Sequence, residues 1–139
     1  MIETKTMTRR RVTAPGVNEP ADGLSSNCFV VGDFVFITGL TARGPDGKPA
    51  APGDARRQAV IVFERMKALM QAAGGTMADI VKMNCYLTDI RNREGFVSAR
   101  REFFIGDFPP CVVLGGVVFT EPELLIEVDA WAILNSGPA

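Results

Sequence analysis

Apolar and polar positions change period several times along the chain, and each change marks an element. Cys28–Val31 is apolar, Gly32-Asp33 is a turn pair, and Phe34–Thr38 is apolar again. This pattern predicts a β-hairpin that Gly39 closes. Thr41–Gly53 is a loop, with turn-forming residues concentrated in its GPDGKP run, Gly44–Pro49. Beyond it, Ala59, Phe63, Met66 and Met70 recur at helical spacing, with Val62, Leu69 and Ala73 beside them. That stripe predicts a helix over Asp54–Ala73 whose polar positions are Arg56, Arg57, Glu64, Arg65 and Lys67. Gly74-Gly75 ends it. Thr76 and Asp79 have capping-box spacing for one short turn. Ile80–Leu87 alternates imperfectly and reads as a strand, and Thr88–Asn92 is a link. A second helix is predicted from Arg91 or Asn92 to about Ile105, with Phe96, Ala99 or Arg100, Phe103 and Phe104 on neighbouring faces.

The last third holds two more apolar runs, Val112–Phe119 and Leu124–Trp131. The polar residues Thr120–Glu123 between them, with Pro122, predict a C-terminal hairpin. The order β-β-α-β-α-β-β is that of an α+β domain: a mixed sheet with both helices packed on one face. Strands this apolar on both sides call for a second cover, hence an oligomer. Residues 1–22 are polar and broken by Pro15, Gly16 and Pro20, so a flexible N-terminal arm is expected, followed by one domain over residues 23–139.

Composition narrows the chemistry. A net charge of −1 argues against nucleic-acid binding, which needs a basic surface. No apolar run approaches membrane-spanning length, and no hydrophobic segment follows the Arg9–Arg11 cluster, so neither a membrane anchor nor a secretory or twin-arginine signal is expected. Cys28, Cys85 and Cys111 are widely spaced in apolar contexts, consistent with reduced thiols in a cytoplasmic protein. The chain contains no histidine, which removes the Ser-His-Asp triad, the Cys-His pair and every histidine-containing metal site. The remaining proton carriers near neutrality are a carboxylate with a raised pKa, a thiol, a shifted lysine or water. Glu127, flanked by Ile126 and Val128 in the last apolar run, is the carboxylate that stands out.

Several stretches together resemble the RidA (YjgF-type) family of enamine/imine deaminases. They are VGDFVFITGL at 31–40, MKALMQAAGG at 66–75, MADIVKMNCYLTDI at 77–90, REFF at 101–104, FPP at 108–110 and LLIEVDAWA at 124–132. The resemblance implies a chorismate-mutase-like α+β fold and a homotrimer whose sheets line a central barrel. It also implies small-molecule pockets at the subunit interfaces and cofactor-free hydrolysis of reactive enamines and imines to ketoacid and ammonia. Carried over residue by residue, it makes Glu127 the group that positions or activates water, with Thr38 and Gly39 completing the pocket. The family's carboxylate-gripping arginine falls at Val112, its neighbouring backbone contact at Leu114, an N-terminal tyrosine at Ser25, and a tyrosine of the second helix at Arg100. With the arginine replaced by valine, the substitute cations to consider are Arg43, Arg100 and Arg101.

Two functional readings follow. One is a hydrolase acting on an imine, enamine or related activated small molecule. The other is a non-catalytic trimer that binds a small ligand or a partner. RNA cleavage, a third activity named for the family, fits poorly with a chain that lacks both histidine and basic charge.

Overall fold

A computed structural model of the chain describes residues 6–138. Its six strands form one sheet: β1 (Arg9–Arg11), β2 (Cys28–Val31), β3 (Phe34–Thr41), β4 (Ile80–Leu87), β5 (Cys111–Leu114) and β6 (Ile126–Ile133). Two helices, α1 (Ala55–Ala73) and α2 (Arg93–Arg101), pack together and cover one sheet face. The spatial order is β1-β2-β3-β6-β4-β5. All neighbours are antiparallel except β4 and β5, which are parallel. This is the α+β mixed sheet with one-sided helices that the sequence predicts.

The local chemistry explains most boundaries. Val31 pairs with Phe34 across the turn at Gly32, whose φ of 60° is the left-handed value that a two-residue hairpin loop requires. At the start of α1, the Asp54 carboxylate accepts from the Arg57 amide at 2.9 Å. At its end, Gly74 takes φ 94° and returns its N–H to the Gln71 carbonyl. The predicted apolar stripe of α1 is buried, with Phe63 at its centre, and Gln58 and Arg65 are buried with it. The Phe63 ring lies 5.9 Å from that of Phe96, 5.4 Å from Phe103 and 6.0 Å from Phe104. The second helix ends at Arg101 rather than near Ile105. Phe103 and Phe104 reach the Phe63 cluster from a turn leading to Gly106, which has φ 77°.

The predicted C-terminal hairpin is not formed. The apolar run after Val112 stops at Leu114, and Gly116 adopts φ 77°. Gly115 passes so close to Ile90 that a Cβ there would lie 2.6 Å from the Ile90 Cβ. The chain then crosses over and inserts β6 between β3 and β4, so β5 pairs with β4 instead. Gln58, fully buried in α1, secures that crossover. Its Nε2 donates to the Glu123 carbonyl at 2.7 Å and its Oε1 accepts from the Leu125 amide at 2.8 Å.

Part of the segment expected to be an arm is also docked. Arg9–Arg11 pairs with β2, and Val12, Ala14 and Val17 are buried. Three arginines tolerate this edge strand because each has a separate outlet. The Arg9 guanidinium sits 4.7 Å over the Phe29 ring, Arg10 donates to the Ala73 carbonyl at 3.0 Å, and Arg11 pairs with Glu19 at 2.7 Å. Residues 1–5, the beginning of the expected arm, lie outside the described residues.

Along β6, Ile126, Val128, Ala130 and Ala132 face the helices and are buried. Glu127, Asp129, Trp131 and Ile133 alternate onto the opposite face. That face carries no helix. Phe34, Phe36, Val112, Leu114 and Trp131 stand exposed in the strands of the sheet.

Candidate functional site

The site forms where β3 loses its regular register with β6. Ile37 pairs with Ala130 and Leu40 with Val128, so Thr38 and Gly39 together oppose Asp129. This is a β-bulge, a device that redirects side chains beside a cleft. Pairing resumes at Leu40, and the next residue, Thr41, lies directly opposite Glu127. The bulge lets the Glu127 side chain lie against the backbone of Gly39. A Cβ at position 39 would sit 2.7 Å from the Glu127 carboxyl carbon and 2.8 Å from its Oε1.

Glu127 opens into a cavity of about 520 Å³ lined by Ser25, Thr38, Gly39, Arg43, Arg65 and the crossover residues 118–120, among others. Burial raises the Glu127 pKa above the ordinary carboxylate value, and the negative charge of Asp129 on the same face raises it further. Asp129 is itself held by Asn84, which donates to it at 2.8 Å, and more loosely by the Tyr86 hydroxyl at 3.4 Å. The cavity thus joins a half-buried carboxylate of raised pKa to the hydroxyls of Thr38 and Ser25.

The structure divides the residues singled out in the sequence. Glu127, Thr38, Gly39, Ser25 and Arg43 share the cavity wall. Val112, Leu114 and Arg100 do not line it. Val112 and Leu114 point from β5 to the uncovered sheet face, 41% and 49% exposed. Arg100 donates to the Cys111 sulfur at 2.9 Å, with its guanidinium 5.7 Å from the ring centres of Phe96 and Phe108. Arg101 is on the exposed side of α2.

Arg65 corrects the sequence reading. Assigned to the polar face of α1, it is 7% exposed and reaches the cavity. It donates to the Thr41 carbonyl and, at 2.8 Å, to Asn18 Oδ1. Its placement was readable: Val62, Arg65 and Leu69 have the i, i+3, i+7 spacing of one helix face. Asn18, Glu19 and Asn27 were also missed. Asn27 is buried and donates to the Asn18 carbonyl at 2.8 Å and to Glu19 Oε2 at 2.7 Å, which folds the docked N-terminal segment against the cavity.

The thiols are free. Burial pushes Cys28 up to about 11 and Cys85 up to about 12, which keeps both protonated and unreactive near neutrality. Among the described residues no cluster of histidine, cysteine or carboxylate side chains could hold a metal ion, and no helix is long and apolar enough to cross a membrane.

A two-helix layer on this sheet, with a carboxylate cavity beside a bulge in β3, defines a RidA-like α+β protein. The family described as Endoribonuclease L-PSP matches residues 17–134, and the chain belongs to this family, the RidA (YjgF-type) proteins. A RutC family protein of Pyrococcus abyssi is 31% identical over 110 residues, covering 79% of this chain and 86% of the relative. The crystal structure of a protein of unknown function from Pseudomonas aeruginosa is similar with a TM-score of 0.85 and 34% identity, over 95% of this chain and 96% of that one. RidA from an Antarctic Psychrobacter shares the fold at a TM-score of 0.80 and 24% identity, over 90% of this chain and 99% of that one.

Proposed function

We propose that the protein hydrolyses a reactive imine or enamine, or a related activated small molecule, without a cofactor. The observation that carries this reading is Glu127: a half-buried carboxylate of raised pKa facing a cavity of about 520 Å³. A carboxylate made more basic by its surroundings is suited to take a proton from water as the water oxygen bonds to the imine carbon. Returning that proton to nitrogen gives a carbinolamine. Loss of ammonia from it leaves the carbonyl compound, and Glu127 ends in its starting state. Thr38 and Ser25 supply hydroxyls that orient the water or the leaving nitrogen. In this reading the uncovered face with Phe34, Phe36 and Trp131 is buried in a homotrimer, and its pockets lie at subunit interfaces.

A second reading, a non-catalytic trimer that binds a small ligand or a partner, is favoured by one observation. Valine stands at the position of the family's gripping arginine and lies outside the cavity. The two readings separate in one assay. An amino-acid oxidase generates imines from neutral, acidic and aromatic amino acids, and semicarbazide traps what is not hydrolysed. Faster loss of trappable imine, abolished by Glu127→Gln in a correctly folded variant, is the expected result. No acceleration with any amino acid in the set would overturn the hydrolase reading in favour of binding.

A further inference from the structure

A cavity of about 590 Å³ opens at the far end of the sheet from Glu127, on the face that carries the helices. That volume is in the range of small-molecule sites. It shares no lining residue with the Glu127 cavity. Ile80, on its wall, pairs with Ala132, whereas Glu127 pairs with Tyr86. The stretch of β6 from Glu127 to Ala132, about 17 Å of extended chain, separates the two rungs.

One carboxylate holds the walls of this cavity. Asp79, 6% exposed, accepts from the Thr76 amide at 3.1 Å, the Ser136 amide at 3.1 Å and the Gly137 amide at 3.0 Å. That clamp ties the turn after α1 to the C-terminal segment, and Met77 and Pro138, one from each, line the cavity. The floor is apolar. Met77, Ile80 and Phe104 are buried, and the Phe104 ring is anchored 6.0 Å from that of Phe63. Ile105, at the lip, is 95% exposed, the most of any large apolar side chain described. Left to water, it is apolar surface that a ligand in the cavity would cover.

The rim carries charges of both signs. Glu102 is answered by Arg56. Lys67, from α1, and Asp107, just past the turn at Gly106, also line the cavity, and neither is ion-paired among the described residues. They do not neutralise each other. An apolar floor under a rim with one unpaired ammonium and one unpaired carboxylate suits a molecule that carries both charges at one end and a hydrocarbon body at the other.

We propose that this cavity is a second ligand site, selective for an apolar α-amino acid. The ligand ammonium pairs with Asp107, its carboxylate pairs with Lys67, and its side chain lies against Phe103, Phe104 and Ile105. The assignment does not depend on the reaction at Glu127.

The test is a heteronuclear NMR titration of the intact protein with L-phenylalanine, phenethylamine and 3-phenylpropionate, which share a phenyl group and differ in charge. Phenylalanine should shift the amides of residues 76–80 and 102–107 and bind more tightly than either singly charged compound. Lys67 and Asp107 are exposed, so substitutions there should leave the fold intact. Asp107→Asn should weaken phenylalanine and phenethylamine by about three- to fivefold and leave phenylpropionate unchanged. Lys67→Met should weaken phenylalanine and phenylpropionate to a similar degree and leave phenethylamine unchanged. Ile105→Ser should weaken all three. No shifts at these residues, or shifts confined to the Glu127 cavity, would overturn the proposal. So would binding of a singly charged compound as tight as that of phenylalanine, or losses in Asp107→Asn that are equal for all three.

Discussion

The contact between Gly39 and Glu127 allows function to be separated from stability with one methyl group. A Cβ at position 39 would lie 2.7 Å from the Glu127 carboxyl carbon and 3.0 Å from its Cγ. Carbon atoms rest at about 3.5–4.0 Å, so the Glu127 side chain must retreat by roughly 1 Å. The backbone at Gly39 does not require glycine for its own conformation, since it is absent from the positive-φ glycines. Alanine in a strand is favoured over glycine by about 0.5–1 kcal/mol, and a displaced side-chain torsion costs about 0.5–1.5 kcal/mol. The two nearly cancel, so the melting temperature of Gly39→Ala should stay within about 3–5 °C of wild type. In the proposed hydrolase, catalysis has no such compensation: a 1 Å displacement of a reacting group costs on the order of 100-fold in rate. The imine-trapping assay should therefore show a large fall in turnover in a protein that melts normally. Carboxyl-carbon NMR should show the Glu127 pKa falling toward its ordinary value as the group moves toward solvent. The double variant with Glu127→Gln should be no slower than Glu127→Gln alone. Full turnover and an unchanged Glu127 titration in Gly39→Ala would refute the idea that this backbone shelf positions the carboxylate.

Other predictions are simpler. Asp129→Asn removes the charge that helps hold the Glu127 pKa up, so the Glu127 titration should move to lower pH in carboxyl NMR. Because folding raises the Glu127 pKa, the folded state holds more protons than the unfolded state between the two values. Stability should fall as pH rises through that window, and Glu127→Gln should flatten this part of the pH–stability curve in denaturant titrations. Gly115→Ala forces a methyl against Ile90, including its backbone nitrogen at 3.1 Å, and should cost about 1–3 kcal/mol in urea unfolding.

The elements built from local chemistry were legible in the sequence: α1 with its terminating Gly74, the hairpin at Gly32, and β4. Those decided by long-range pairing were not. Val112–Phe119 has the composition of a strand, but the close passage of Gly115 against Ile90 ends it early, a contact no local pattern encodes. Arg9–Arg11 lacks an apolar face, and only the edge of β2 makes it a strand. At the cavity, Glu127 was visible as a lone carboxylate among apolar neighbours. Arg65 was hidden by its residue type, since arginine is usually assigned to solvent and its helix position was the better guide.

The central position of β6 also bears on how the chain matures. Among the six described strands this one comes last in sequence, yet it joins β1-β2-β3 to β4-β5. Until residues 126–133 emerge from the ribosome, the nascent protein consists of two sheet fragments with open hydrogen-bonding edges and an unfinished apolar layer beneath them. The decisive pairing of the sheet therefore waits for β6, and chains that stall before Ile126 are the species most in need of a chaperone.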